Sequence, residues 1–312
     1  MMQWQQIAKP WYVWRPWQLV RRASAAWHPP SPGYTSLPVA WGAFVIADPA
    51  KMIGKSIFTT GVYDLSVSEI LARLIEPGDT VVDAGANVGY MTMLAGIAAG
   101  PTGQVVSWEP HPELFSVLQQ NVTTLRRIQG TAEIDIRNAA LGQTSGSAEL
   151  VLPAHMESND GLAYIGERSG SATSVTVALE TIDGVIGTTP IAVMKLDVEG
   201  TELAVLTGAR QALDAGRIRH IVFEDHVGAG SDVTQLLAAC GYRIFSIGWS
   251  VRGLQLSERP GERLAAEYEA PNYVASLAPD DLLQRCSAPG WSTLSASFRT
   301  NRQPALNDDE YL

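Results

Sequence analysis

The chain has 312 residues, of which 46% are hydrophobic and 17% are charged, so it can bury a substantial core. Its formal net charge is −10, which argues against a general nucleic-acid binder because such proteins are expected to be basic. Two cysteines, Cys240 and Cys286, are too few for a disulfide framework, and a cytoplasmic location is the simplest expectation. The apolar runs are shorter than the roughly 18 residues that cross a bilayer, so we expect no transmembrane segment.

Residues 1–45 are predicted to form an arm rich in tryptophan and basic side chains. These residues are Trp4, Trp11, Trp14, Trp17, Trp27, Lys9, Arg15, Arg21 and Arg22. One interpretation is an amphipathic segment that rests on a membrane surface. We favour an arm that packs on the domain, on a second subunit in a homodimer, or over the active site, because Pro10 and Pro16 interrupt a long helix.

From about residue 55 the hydrophobic pattern alternates between strands and helices. Strands are predicted at 80–84, 104–109, 133–138, 191–197, 219–225 and 242–247. Helices are predicted at 66–76, 88–98, 112–125, 200–214 and 231–240. This alternation predicts a parallel sheet with helices on both faces.

The alternation lapses between residues 147 and 180. Two strands of a side excursion are predicted there, at 148–152 and 174–178. The loop at 153–174 is rich in Gly, Ser and Asn and is a candidate lid, because loops of this kind often carry specificity; the alternative is a loop that is simply mobile.

A glycine-rich turn at residues 83–89 joins the first predicted strand of the sheet to an apolar helix. Gly85 and Gly89 allow the backbone to turn tightly and to approach a ligand closely. Asn87 is one of the few non-glycine residues that tolerate a left-handed conformation. The free N–H groups of the following helix point into this turn, which suits a nucleotide-like cofactor.

Glu109 stands 20 residues beyond Gly89, at the end of the second strand, where an acidic residue commonly takes the hydroxyls of a ribose. The glycine spacing disfavours NAD, because Asn87 and Tyr90 occupy positions where a dinucleotide turn needs glycine. Asp83 suits an ammonium group better than a pyrophosphate. S-adenosylmethionine has an amino group and a ribose and lacks phosphate, so it is the predicted cofactor.

The strand at 191–197 is apolar until Lys195, Asp197 and Glu199 introduce charge at every second residue. Alternation predicts that these three side chains share one side, at the sheet end where ligands bind. A structural alternative is an ion pair combined with acidic residues at the start of the next helix, where Glu199 and Glu202 are favoured by the helix dipole.

The next strand ends in Glu224, Asp225 and His226. A histidine with a carboxylate partner can act as a general base near neutral pH. Asp197, Glu224 and His226 are also candidates for a divalent metal site, but their spacing matches no specific metal motif, and no metal is predicted.

Taken in order, these motifs resemble the FkbM-type family of S-adenosylmethionine-dependent methyltransferases over roughly residues 57–228. The matching segments are 61–64, 78–90, 109–110, 138–142, 181–183, 195–202, 206–209 and 224–226. The resemblance implies an α/β fold with a Rossmann-like class I methyltransferase sheet, mainly parallel with a closing antiparallel strand. Segments 241–245 and 272–275 are predicted to supply the closing hairpin. Asp64 departs from the family, which more often has glutamate at this position.

The resemblance also implies which residues bind the cofactor. Asp83, Gly85 and Asn87 would hold its methionine part, Glu109 its ribose, and Asn138 and Ala139 would lie near its adenine. Asp197 would face the reacting methyl group. The complete implied set is Tyr63, Asp83, Gly85, Asn87, Gly89, Glu109, Asn138, Ala139 and Asp197.

The predicted function is O-methylation of a hydroxyl on a small molecule, such as a sugar or a secondary metabolite. His226 is the first candidate base and Asp197 the second, and Glu224 and Lys195 complete the predicted catalytic group. N-methylation, an NAD-dependent oxidoreductase and a non-catalytic scaffold that binds through the arm are the alternatives. The predicted division is an arm at 1–45, a methyltransferase domain at 46–280 and a C-terminal tail at 281–312.

Overall fold

A computed structural model describes residues 9–27, 30–152, 164–165, 173–258 and 271–302. The predicted lid at 153–174 falls almost entirely outside these residues. The helices are α1 (Pro10–Val13), α2 (Trp17–Trp27), α3 (Met52–Thr60), α4 (Leu65–Leu74), α5 (Tyr90–Ala99), α6 (Pro112–Leu125), α7 (Ile182–Ile186), α8 (Glu202–Thr207), α9 (Arg210–Asp214), α10 (Asp232–Ala239), α11 (Pro279–Cys286) and α12 (Ser297–Arg302). In this described part of the chain, none of the helices is long and apolar enough to span a bilayer.

The strands are β1 (Thr35–Pro38), β2 (Phe44–Ala47), β3 (Thr80–Ala84), β4 (Gln104–Trp108), β5 (Glu133–Arg137), β6 (Ala139–Leu141), β7 (Gly146–Leu152), β8 (Tyr164–Ile165), β9 (Thr173–Glu180), β10 (Ile191–Leu196), β11 (Ile218–Glu224), β12 (Arg243–Ser250), β13 (Gly253–Ser257) and β14 (Asn272–Ser276). Eight of them form the central sheet, in the order β13-β12-β14-β11-β10-β3-β4-β5. Strands β5, β4, β3, β10 and β11 run parallel, and β14 joins β11 antiparallel. The predicted class I sheet with a closing antiparallel strand is therefore confirmed.

Helices cover both faces of this sheet because neighbouring residues of each buried strand point to opposite sides. Val81 belongs to the core cluster that includes α4, α5 and α6, whereas Val82 belongs to the cluster that includes α8, α9 and α10. Both valines are almost fully buried. The two apolar layers hold the strand ends at a common edge, where the candidate site lies.

One predicted element is divided in the structure. The helix expected over 200–214 is two short helices, α8 and α9. The cause is Asp183, whose backbone N–H donates to the Gly208 carbonyl and whose carboxylate accepts from the N–H groups of Gln211 and Ala212. These bonds satisfy the end of one helix and the start of the next, so the two need not be continuous.

The predicted side excursion forms a small second sheet. Strands β7 and β9 pair antiparallel, and β6 joins β9 in parallel, in the order β6-β9-β7-β8. Tyr164 and Ile165 of β8 lie along the cavity described below. This sheet therefore forms one wall of the site.

The described parts of the predicted arm and of the predicted tail pack against the central domain. The β1–β2 hairpin crosses the boundary predicted at residue 45, and Trp41 and Val45 are fully buried in the main core. In the predicted tail, Trp291 and Phe298 are buried as well. The tail is fastened by Glu69, a completely buried carboxylate that accepts hydrogen bonds from the backbone and side chains of Ser292 and Thr293.

Candidate active site

The glycine turn after β3 requires glycine at position 85 for two reasons. Gly85 has a φ of +81°, a left-handed conformation that side chains rarely adopt. A Cβ atom at this position would also lie 1.8 Å from the carbonyl oxygen of Asp197. Gly89 likewise has a positive φ, and a Cβ there would lie 2.5 Å from Leu118 Cδ1. The turn is therefore pressed closely against the end of β10 and against α6.

Three non-glycine residues have a positive φ in the described part of the chain: Asp64 (+32°), Asn87 (+50°) and Glu199 (+51°). All three line the same cavity. Such conformations cost free energy and are retained where the surrounding structure determines them, often at functional sites. Their clustering marks this cavity as the place where the backbone is shaped for a ligand.

Glu109 is buried just beyond β4 and shapes the glycine turn directly. Its Oε2 accepts a hydrogen bond from the Asn87 N–H at 2.7 Å, and its Oε1 accepts one from the His111 N–H at 2.8 Å. Burial raises the pKa of Glu109 to about 7, although these two backbone N–H groups oppose the shift. Each carboxylate oxygen retains a second lone pair with which to accept a hydroxyl.

Lys195 joins the glycine turn to two carboxylates. Its Nζ donates to the Gly85 carbonyl at 2.8 Å and lies 3.3 Å from both Asp83 Oδ1 and Asp197 Oδ2. Burial alone would lower the pKa of Lys195, but Asp197 and Asp83 raise it above its usual value. Lys195 therefore remains a buried ammonium group that holds the strand ends together.

Asp83 is buried behind the cavity wall, although its predicted role is to contact the cofactor. It is 1% exposed, its Oδ2 accepts from the Thr92 hydroxyl at 2.6 Å, and it is not among the residues that line the cavity. The sequence predicted that this carboxylate would face an ammonium group, and in the structure that group belongs to Lys195. A direct contact between Asp83 and a cofactor stays a prediction.

Acidic side chains gather at the other end of the cavity. Burial, followed by repulsion from Asp197, raises the pKa of both Glu199 and Glu224 to about 7. Glu224 Oε1 lies 2.7 Å from Nε2 of His226, whose side chain is 76% exposed. The structure thus places a histidine–carboxylate pair at the rim, beside a group of carboxylates.

Tyr63 and Asp64 complete this end of the site. Burial, followed by repulsion from Asp197 and Asp64, raises the pKa of the Tyr63 phenol well above its usual range, so the hydroxyl keeps its proton. Asp64 Oδ1 accepts from the Val67 N–H at 3.0 Å and caps α4, while its Oδ2 accepts from the Asn272 side chain at 3.0 Å. The aspartate that departs from the family pattern therefore still acts as a hydrogen-bond acceptor here.

These residues surround a cavity of about 680 Å³, within the usual range for small-molecule sites. Nine of the predicted site residues line it: Tyr63, Gly85, Asn87, Glu109, Ala139, Lys195, Asp197, Glu224 and His226. Asp83, Gly89 and Asn138 do not. The Asn138 side chain instead donates to the carbonyls of Glu109 and Pro110 at 2.9 and 3.2 Å, which holds the turn after β4.

Three tryptophans that the sequence did not assign to the site also line the cavity: Trp11, Trp108 and Trp249. Trp11 comes from the arm and Trp249 from β12, and their ring centroids are 5.5 Å apart. The Lys9 ammonium lies over both rings, 5.1 Å and 6.0 Å from their centroids. The arm was predicted to pack on the domain or over the active site, but no local pattern distinguishes Trp11 from the other tryptophans near it.

The charge of the cavity restricts the ligands that fit it. Among the described residues that line it, the acidic ones are Asp64, Glu109, Asp197, Glu199 and Glu224, and the basic ones are Lys195 and His226. Lys195 and His226 are themselves paired with carboxylates. A pyrophosphate would meet mostly negative charge here, whereas a cationic ligand would be attracted.

The described residues contain no group of three or more His, Cys, Asp and Glu side chains that could hold a metal ion.

Known proteins resemble this chain over much of its length. The "Methyltransferase FkbM domain" family matches residues 83–244, more than half of the chain. The 31-O-demethyl-FK506 methyltransferase FkbM of Streptomyces tacrolimicus is 29% identical over 228 residues, which cover 65% of this chain and 85% of that protein. The hexuronic acid methyltransferase AglP of Haloferax volcanii is 29% identical over 173 residues, 55% of this chain and 66% of that protein.

Among solved structures, a methyltransferase FkbM from Methylobacillus flagellatus KT is 17% identical, with a TM-score of 0.39. The match covers 63% of this chain and 43% of that one. The family match is consistent with the predicted cofactor, S-adenosylmethionine. On the extent of that match, which includes the glycine turn, Glu109 and the charged strand ends, this chain belongs to the FkbM family of methyltransferases.

Proposed function

We propose that the protein uses S-adenosylmethionine to methylate a hydroxyl group on a small molecule. The observation that carries this proposal is the excess of carboxylates around a cavity that begins at the glycine turn. S-adenosylmethionine has a sulfonium and an ammonium group and lacks phosphate, so its charge complements this lining. When bound, it supplies a methyl group that its sulfonium has already activated toward nucleophilic attack.

Distinct parts of the lining would hold distinct parts of this cofactor. The backbone from Gly85 to Asn87 would take the methionine part, and the remaining lone pairs of Glu109 would accept the ribose hydroxyls. Ala139, at the start of β6, offers a small apolar surface for the adenine. Orientation of two reactants alone can lower a barrier by roughly 7–11 kcal/mol, so holding the methyl donor rigidly is the main task of these residues.

His226 is the first candidate for the base that takes the hydroxyl proton. Because its Nε2 is bonded to Glu224, its Nδ1 is the nitrogen that would accept a proton, and the pair with Glu224 would stabilise the resulting imidazolium. Its high exposure lets that proton pass on to solvent. Asp197, inside the cavity, is the second candidate. A positioned base contributes roughly 10²–10⁴-fold to rate.

The acceptor would occupy the part of the cavity next to Trp11, Trp249 and Ile247, which is aromatic and apolar. The printed names of the two relatives, an FK506 precursor methyltransferase and a hexuronic acid methyltransferase, support a small-molecule acceptor. The surrounding carboxylates favour a hydroxyl over an amine. They would raise the pKa of a bound amine and keep it protonated, and a protonated amine cannot attack.

Calorimetric titration with S-adenosylhomocysteine, and with NAD in parallel, tests the cofactor. We expect saturable binding of S-adenosylhomocysteine only, weakened at least about tenfold by Glu109→Ala because the ribose contact is lost. Glu113→Ala, which removes an exposed acid four residues away, is the matched control and should leave binding unchanged. Binding of NAD, or of neither ligand, would overturn the proposal.

His226→Ala tests the base. We expect this variant to bind S-adenosylhomocysteine with unchanged affinity and to lose turnover by about 10²-fold or more. Turnover at the wild-type rate would remove His226 from the mechanism and leave Asp197 as the candidate.

A further inference from the structure

Helix α2, Trp17–Trp27, carries a stripe of exposed apolar side chains on one face. Trp17, Val20 and Trp27 are 61%, 71% and 84% exposed. At roughly 100° per residue these positions fall within an arc of about 80°, so they point in one direction. Just before the helix, Val13 and Trp14 are 52% and 50% exposed. Large apolar groups concentrated in this way mark an interaction surface.

The opposite side of the arm is fixed to the protein. Gln18 is 2% exposed, and Arg22 Nη1 donates to the Tyr12 hydroxyl at 2.9 Å. Before the helix, the half-exposed Trp14 anchors the arm through its Nε1, which donates to the Val251 carbonyl at 2.9 Å. Tyr12 is itself 3% exposed. The helix is therefore attached through its polar face while its tryptophans point outward, the reverse of an ordinary surface helix.

The charge of the arm has the opposite sign to that of the rest of the chain. Residues 1–47 contain Lys9, Arg15, Arg21 and Arg22 and no acidic residue, whereas the remaining residues carry a net charge of −14. Arg21 is exposed and lies about 40° from Trp17, beside the apolar stripe. At physiological salt, charges more than about 8 Å away are largely screened, so the exposed Arg21 beside the stripe affects a docked surface more than distant acidic residues do.

From these observations we propose that α2 docks on an anionic lipid surface, with Trp17, Val20 and Trp27 in the interface and Arg21 beside the headgroups. Helices that lie in the plane of a membrane surface typically carry tryptophan on an apolar face and basic residues on the polar face beside it. A second copy of the chain fits this stripe less well. A stable dimer buries about 800 Å² per partner, whereas the two tryptophans of the stripe together supply at most about 300–500 Å².

Flotation of the full chain with lipid vesicles tests this proposal. We expect the protein to float with vesicles of phosphatidylcholine and phosphatidylglycerol, and much less with phosphatidylcholine alone. A Trp17→Ala/Trp27→Ala variant should reduce partitioning at least about tenfold. Arg21→Gln should reduce it about fivefold, since each basic residue near such a surface contributes about 1 kcal/mol. Phe44→Ala, which truncates a 57% exposed aromatic residue on β2, is the control and should change partitioning less than about twofold.

Two further measurements separate lipid binding from loss of folding and from self-association. The melting temperature of the double tryptophan variant should match that of wild type, because the truncated side chains are exposed. Light scattering gives the oligomeric state of wild type and variant without lipid. If wild type fails to float with anionic vesicles, or if it is a dimer that the tryptophan variant converts to a monomer, the proposal is overturned.

Discussion

Replacing Gly85 with alanine tests whether the glycine turn and the end of β10 are as closely packed as the structure shows. A side chain at a φ of +81° costs about 1–2 kcal/mol in backbone strain. The new Cβ would also lie 1.8 Å from the Asp197 carbonyl oxygen, well inside the 3.0 Å that real Cβ atoms keep. One of the two segments must therefore move by about 1 Å or more.

That movement has a further cost, because both segments are hydrogen-bonded at this point. The Asp197 N–H donates to the Ala84 carbonyl at 3.1 Å, and Lys195 Nζ donates to the Gly85 carbonyl at 2.8 Å. Loss of one such bond costs about 0.5–1.5 kcal/mol. We therefore expect Gly85→Ala to lower the free energy of unfolding by about 2–4 kcal/mol and to weaken S-adenosylhomocysteine binding more than tenfold.

Gly230→Ala provides the matched control. Gly230 has a φ of +91°, but a Cβ there would meet nothing within 4 Å, so only the backbone strain of about 1–2 kcal/mol applies. Urea denaturation measures the free energy of unfolding of both variants, and calorimetry measures binding of S-adenosylhomocysteine. If Gly85→Ala were no less stable than Gly230→Ala and bound with wild-type affinity, the close approach of turn and strand would be refuted.

Two other predictions concern charge. The pKa values of Glu109, Glu199 and Glu224 are raised to about 7, so these side chains lose their protons as the pH rises from 6 to 8, and the cavity becomes more negative. Because only S-adenosylmethionine carries the sulfonium charge, its affinity should rise with pH several-fold more than the affinity of S-adenosylhomocysteine. Calorimetry from pH 6 to pH 8 measures both affinities, and an equal pH dependence of the two would contradict this prediction. Separately, Glu69→Gln should cost about 3–5 kcal/mol of unfolding free energy because it leaves the largely buried Arg73 without its carboxylate partner. As the control, Asp214→Asn breaks the exposed helical pair of Arg210 and Asp214 and should cost less than about 1 kcal/mol. If urea denaturation gave similar losses of unfolding free energy for both variants, burial would not be the cause of the larger loss.

The positions of the strands along the chain and of the glycine turn could be predicted from the sequence because they depend on local patterns. A β-branched run followed by Gly85, Asn87 and Gly89 has few alternatives to a strand, a tight turn and a helix. Parallel strands then place Glu109 and Asp197 at the same edge of the sheet without any further information. The helix over 200–214 was predicted incorrectly because its break depends on Asp183, which is distant in sequence.

The partners of the site residues were decided only by the tertiary structure. Lys195 lies between Asp83 and Asp197 because β10 and β3 pair in a particular register. Asp83 is buried against the Thr92 hydroxyl and does not line the cavity, whereas the sequence placed it at the mouth of the cofactor turn. Trp11 reaches the cavity from an arm whose tryptophans look alike in sequence. Which of these tryptophans is exposed depends on the surface that each one meets in the folded protein. Local patterns thus determined which residues end each strand, and long-range packing determined which of those residues face a ligand.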